Sequence, residues 1–169
     1  MRPSFVAVGL VATVAAALLL AATAAAGLPK AGVLVPGQSL GGIRLGESPR
    51  AVRAELGTFY GTCRGCSRRT WYFTYSPFDK QGLAVEFTGG QVSGLYTLWR
   101  PAGWHAPHKL RFGSSALAVH RLTGASRTVV CRGYEALVRN SAQASTAYYL
   151  LSGRLWGFGL FRRDASPCR

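Results

Sequence analysis

The four cysteines are the side chains of this sequence with the most definite chemistry: Cys63, Cys66, Cys131 and Cys168. An even number of cysteines in a chain with an export signal predicts two disulfides, because the compartment outside the cytoplasm is oxidising. Three pairings are possible. We favour Cys63 with Cys66 and Cys131 with Cys168. The main alternative joins the two halves of the chain, for instance through Cys63 and Cys131.

The Cys63-x-x-Cys66 spacing also occurs in thiol oxidoreductases. Positive charge from Arg64, Arg68 and Arg69 would lower the pKa of a thiol beside them. In thioredoxin-like folds, however, this motif lies at a turn from a strand into a helix, whereas here it precedes a predicted strand. We therefore interpret the pair as a structural disulfide and keep thiol oxidoreductase activity as the third function hypothesis.

Other catalytic patterns do not occur in the sequence. It has no Gly-x-Ser-x-Gly elbow and no phosphate-binding Gly-rich loop, and its six acidic residues fall singly. His105 and His108 have a spacing that could bind a metal, but no carboxylate near them completes a site. The sequence predicts a protein that is not an enzyme and holds no cofactor or metal.

One segment of the chain occurs twice. Residues 42–57 return as residues 109–124, with Arg, Gly, Ser, Ala, Val and a final Gly in corresponding places. We interpret this as an internal duplication. Each copy begins with a helix of about two turns, which Ser48 or Ser115 caps and which Gly57 or Gly124 ends.

Three strands follow each predicted helix, because runs of β-branched, aromatic and alternating residues are separated by turn signals. We expect an α+β fold: two tandem repeats of a helix plus a three-stranded antiparallel meander, forming one roughly six-stranded sheet with both helices on one face. The predicted divisions are a signal peptide (1–26), an entry segment (27–41), repeat 1 (42–100), a solvated linker (101–108) and repeat 2 (109–169). The predicted strands are 71–75, 83–88, 91–99, 134–139, 145–151 and 155–162.

The first residues have the pattern of a signal peptide. Arg2 precedes an apolar run, and Ala24-Ala25-Ala26 supplies the small residues that a signal peptidase recognises. Cleavage would leave no membrane span and would place the protein outside the cell or in the cell envelope. The alternative is an uncleaved anchor, because the apolar run is about long enough to cross a bilayer.

The chain is strongly basic, with 20 Lys and Arg against six Asp and Glu and a formal net charge of +14. Such a charge attracts polyanions. No recognition helix, RNA-binding signature or zinc-finger spacing accompanies it, so we expect no nucleic-acid partner. A basic structural protein attached to anionic cell-wall polymer or lipid is the second function hypothesis.

Both faces of the predicted sheet carry aromatic residues, more than one core needs. Either they are buried between the two halves, or some form an exposed patch for a protein partner. We predict that Tyr72, Trp99 and Tyr149, with Arg64, Arg68 and Arg69, bind an unidentified extracellular or envelope protein, because aromatic and Arg residues are favoured at such contacts.

The repeated segment resembles a known family. A Gly-x-Arg-Leu-Gly-x-Ser start, a short helix with an Ala-Val core, a closing Leu-Gly and a strand meander are similar to the superfamily of the bacterial β-lactamase-inhibitory proteins and the SmpA/OmlA (BamE) outer-membrane-assembly lipoproteins. The tandem arrangement resembles the inhibitory protein, in which two such units form a curved sheet that holds the target. The resemblance implies a secreted, non-catalytic binding module that uses the exposed face of its sheet as an inhibitor or an assembly factor.

Overall fold

The computed structural model describes residues 27–169, so the predicted signal peptide lies outside the described residues. No helix in residues 27–169 is long and apolar enough to cross a membrane. The elements, in chain order, are β1 (Leu34–Val35), β2 (Ser39–Leu40), β3 (Ile43–Arg44), α1 (Pro49–Leu56), β4 (Gly61–Thr62), β5 (Arg69–Thr74), β6 (Gly82–Thr88), β7 (Gln91–Leu98), β8 (His105–Ala106), β9 (Leu110–Arg111), α2 (Ala116–Thr123), β10 (Arg127–Cys131), β11 (Tyr134–Asn140), β12 (Ala144–Leu151) and β13 (Arg154–Arg162).

The predicted fold class is wrong. The protein is mostly β, with 45% of residues in strands and 11% in helices, and its main sheet has eight antiparallel strands instead of about six. Their order is β10-β11-β12-β13-β7-β6-β5-β4, so β13 and β7 join the two halves at the centre. The prediction of a helix plus three strands per repeat therefore does not describe this architecture.

Two edge strands account for the wrong strand count. β4 contains a glycine and both its residues are exposed, and most of β10 is exposed or half-buried. A strand that buries neither face has no alternation of apolar and polar residues to reveal it. These strands form because each one pairs with a single neighbour: β4 pairs with β5, and β10 pairs with β11.

Residues 101–108 are not a solvated linker. Trp104 is 2% exposed, and its Nε1 donates a hydrogen bond of 2.7 Å to Tyr75 Oη. β8 pairs with β9, and the short strands β1, β2 and β3 form a separate three-stranded sheet. These small sheets add Leu34, Leu40 and Leu110 to the main core.

Both helices form as their local signals predict. Ser48 Oγ and Ser115 Oγ each accept a hydrogen bond of 3.2 Å from a backbone N–H of the first turn. Val52, Leu56 and Val119 are buried in the same core as the apolar side chains of the main sheet. We call the face of the eight-stranded sheet that meets this core the inner face and the opposite one the outer face.

The disulfides join Cys63 to Cys66 and Cys131 to Cys168, which is the favoured pairing. The first closes a small exposed loop before β5. The second connects the end of β10 to the segment that follows β13. Neither links the two halves of the chain.

Candidate binding site on the outer face of the sheet

The outer face of the second half is covered by residues 163–169, which we call the covering segment. Tyr149 Oη donates a hydrogen bond of 2.8 Å to the Pro167 carbonyl, and Tyr134 Oη donates one of 2.8 Å to the Arg169 carbonyl. Under this segment Tyr149 is 4% exposed, and it packs with Phe161. The expectation that this face is bare and that Tyr149 is an exposed contact residue is therefore wrong.

A buried ion pair anchors the covering segment to the first half. Arg169 Nε lies 2.6 Å from Glu86 Oε1, and Arg169 Nη2 lies 2.8 Å from Glu86 Oε2. Glu86 is 4% exposed, and the Arg169 guanidinium lies 4.1 Å from the centre of the Phe161 ring. The Nη2 hydrogen bond, the close ionic contact of Nε and the ring face compensate both charges for the loss of water.

The halves separate toward one end of their central seam. β7 and β13 pair only at Gly94, Leu95 and Tyr96, opposite Phe161, Leu160 and Gly159. Beyond Tyr96 the ladder stops, and Thr97 Oγ1 accepts a 2.9 Å hydrogen bond from the backbone N–H of Phe158 in its place. The divergence opens a cavity of about 180 Å³, which we call the aromatic cleft. Its lining residues are Tyr96, Thr97, Leu98, Trp99, Tyr134, Tyr149, Trp156 and Arg169.

A β-bulge places Trp156 in the cleft. Tyr149 pairs with Gly157 and Leu150 pairs with Leu155, so Trp156 is an extra residue in β13 without a partner in β12. Bulges redirect side chains, often next to functional sites. Tyr134 packs edge-on against the Trp156 ring at 6.1 Å between centroids. The indole Nε1 of Trp156 is buried and has no hydrogen-bond partner among the described residues.

Trp99 stands at the mouth of the cleft. It is 62% exposed, and the Lys80 ammonium lies 5.6 Å from the centre of its ring. Trp99 and Arg100 have φ of +47° and +50°, a left-handed conformation that side chains with a Cβ disfavour.

The cleft is electrically neutral apart from the paired Arg169. Burial raises the pKa of Tyr96, and the neighbouring Tyr72 raises it further. Burial also raises the pKa of Tyr149. Both phenols therefore stay protonated at physiological pH. The site presents mainly aromatic ring faces and suits a ligand that brings apolar surface.

The residues predicted to bind do not form one patch. Tyr72 is half-buried beside Tyr96 and outside the cleft lining, and Arg64 is exposed in the Cys63–Cys66 loop. Successive β5 side chains point to opposite faces, as strand geometry requires. Arg68, just before β5, lies 3.8 Å from Glu86 on the outer face, whereas the Arg69 guanidinium lies 5.5 Å from the Trp71 ring on the inner face.

Of the predicted set, only Trp99 and Tyr149 line the cleft. Four residues of the lining are not predicted from the sequence: Tyr96, Tyr134, Trp156 and Arg169. Aromatic content marked their strands, but only the bulge and the path of the covering segment bring these four together. Within residues 27–169, no group of three His, Cys, Asp or Glu side chains is placed to hold a metal ion.

No protein-family model matches this chain, and no curated protein matches it. Among solved structures, the fold is similar to the 1.5 Å crystal structure of an extracellular protein containing a SCP domain from Bacillus anthracis str. Ames, with a TM-score of 0.52 and 12% sequence identity. The alignment covers 70% of this chain and 44% of the Bacillus protein, so this chain matches less than half of that protein's length. The likeness is one of fold.

Proposed function

We propose that this protein is an exported, non-catalytic binding module that holds part of a partner protein in the aromatic cleft. The observation that carries the proposal is the aromatic cleft itself, a cavity between the two halves that aromatic side chains line and whose mouth is the exposed Trp99. Large apolar side chains that stay exposed beside a cavity are typical of contact surfaces for a partner.

The size of the cleft favours a protein partner over a small ligand. Its volume of about 180 Å³ is below the roughly 300–1,000 Å³ of pockets that enclose small molecules. A pocket of this size suits one apolar anchor side chain. Interface hot spots have this composition, since Trp, Tyr and Arg dominate them.

The charge of the chain defines the partner further. The chain has a formal net charge of +14, of which Arg2 lies in the predicted signal peptide, so a partner with an acidic surface is attracted to the protein as a whole. The two disulfides, and the extracellular protein of similar fold, support an export route. The resemblance to inhibitory and assembly proteins favours an inhibitor or an envelope-assembly factor as the biological form.

The test begins with a partner captured from extracellular and envelope proteins on the immobilised, oxidised protein and retained through a high-salt wash. Its Kd is then measured by calorimetry for the wild type and for Trp99→Ala. We expect Trp99→Ala to weaken binding about 30-fold, which corresponds to a hot spot of about 2 kcal/mol.

Phe78→Ala is the matched control, because Phe78 is fully exposed and lies outside the cleft. In ¹⁵N spectra of the wild type, the Trp156 indole N–H resonance should shift when the partner is added. Equal weakening by the two variants, or an indole resonance that does not move, would contradict the proposed site.

A further inference from the structure

A polar hollow lies at the other end of the seam between β7 and β13. Its volume is about 440 Å³, and it forms where β7 begins at Gln91 and β13 ends at Arg162. The turn between β1 and β2 and the end of β3 complete it. The full lining is Gly37, Gln38, Arg44, Leu45, Gly46, Gln91, Val92, Gln143, Ala144 and Arg162.

The charged groups of this hollow have one sign. Arg44 and Arg162 come from different halves of the chain, and no carboxylate lines the space between them. Neither guanidinium takes part in an ion pair within residues 27–169. Glu47 is not part of the lining, although burial raises the pKa of its carboxyl and the Arg44 charge is near enough to lower that pKa by a smaller amount. Three glutamine side chains add amide donors.

A second hollow continues the first. It shares Gln143 and Arg162 with it and adds Arg163, together with one acid, Asp164. The two hollows adjoin at these shared residues, and we call them together the arginine groove. Three guanidinium groups line it, and several cations side by side suit a chain of anionic groups better than a single anion.

The fold holds the walls of the groove in place. Arg44 pairs with Ser39 in the small sheet, and Arg162 pairs with Ala144 at the end of β12. The Gly37 N–H donates a 2.9 Å hydrogen bond to Thr146 Oγ1, which fixes the turn between β1 and β2 against β12. The guanidinium groups thus extend from paired strands into one space.

We propose that the arginine groove binds a linear phosphate polymer, with the guanidinium groups contacting successive phosphates. Guanidinium groups bind phosphate through two parallel N–H bonds, and the glutamine amides supply neutral donors beside them. This activity is independent of the aromatic cleft and goes beyond the proposed protein binding.

The test uses linear polyphosphate as the probe and measures its Kd by calorimetry at several salt concentrations. We expect the double variant Arg44→Gln/Arg162→Gln to weaken binding at least tenfold and to reduce its salt dependence. The control Arg121→Gln/Arg132→Gln removes the same charge from exposed positions outside the groove and should change the Kd less than threefold. Melting curves check that all variants are folded.

Two outcomes would overturn the proposal. Equal weakening by both double variants would mean that net charge, not the groove, drives binding. Binding to phosphatidylglycerol vesicles without binding to polyphosphate would assign the surface to a lipid. Trp99→Ala serves as a further control and should leave the Kd for polyphosphate unchanged. A failure of the protein-binding proposal can then be told apart from a failure of the polyphosphate proposal.

Discussion

The ion pair between Glu86 and Arg169 should be the polar contact whose loss destabilises the fold most. The change to make is Arg169→Met, which keeps the apolar contact with the Phe161 ring and removes the charge. The two side chains are only 5% and 9% exposed, so Glu86 would remain as a buried charge. Breaking a buried pair on one side costs about 3–5 kcal/mol.

Arg68 reduces this cost only slightly. It lies 3.8 Å from Glu86 Oε1, but its side chain is 47% exposed, and an ion pair of that kind contributes little in water. We therefore expect Arg169→Met to lower the free energy of unfolding by about 3 kcal/mol. Urea unfolding followed by far-UV circular dichroism measures it.

A double-mutant cycle separates the ion pair from general damage to the covering segment. Glu86→Gln/Arg169→Met removes both charges and should be more stable than Arg169→Met alone, because no unpaired charge stays buried. Arg163→Met, on the same segment but exposed, should change stability by less than about 0.5 kcal/mol. A loss below about 1 kcal/mol for Arg169→Met, or a double variant that is no more stable, would refute this reasoning.

Three further predictions concern the disulfides, the outer face and the buried tyrosines. Loop-closure entropy predicts that Cys131→Ser/Cys168→Ser, which opens a loop with a separation of 37 residues, lowers the free energy of unfolding by about 4 kcal/mol. Cys63→Ser/Cys66→Ser, with a separation of three, should lower it by about 1.5 kcal/mol. Equal losses in urea unfolding would contradict this prediction. Gly159→Ala should lower the free energy of unfolding by about 1–3 kcal/mol, because the added Cβ would lie 2.5 Å from the Phe161 ring and 2.6 Å from Tyr149 Oη. Gly61→Ala is the control: its Cβ would meet nothing within 4 Å, so it should be nearly neutral in the same assay. Burial raises the pKa of Tyr148 to about 12. The stability that its neutral form contributes is therefore complete below pH 10 and is lost as the pH rises toward 12. Tyr148→Phe should reduce this alkaline loss of stability in thermal melts, and an unchanged pH profile would refute the prediction.

Local signals in the sequence predict the elements that local forces determine. The helix caps at Ser48 and Ser115 and the six long strands of the main sheet are recognisable, because capping and the alternation of buried and exposed side chains leave a pattern within a few residues. The edge strands β4 and β10 bury little and leave no such pattern. The two edge strands and the short strands β1, β2, β3, β8 and β9 are absent from the prediction, whereas the protein is mostly β.

The site depends on contacts between distant residues, which a single sequence does not reveal. Glu86 and Arg169 are 83 positions apart, and nothing around Arg169 marks it as buried. Aromatic content drew attention to Trp99 and Tyr149, but whether Tyr149 is exposed depends on the path of the covering segment. The bulge at Trp156 depends on the register between β12 and β13, which turn and strand patterns do not specify to one residue.

The short central seam explains why both proposed sites lie where the halves meet. Val92, near the start of β7, exchanges backbone hydrogen bonds with Gly46 and Glu47 in the loop before α1. Leu155, near the start of β13, does the same with Gly113 and Ser114 before α2. Each half uses this part of its last strand to hold the loop before its own helix, and three residue pairs join β7 to β13. The strands diverge on both sides of these pairs, and side chains from both halves line the aromatic cleft at one end and the arginine groove at the other.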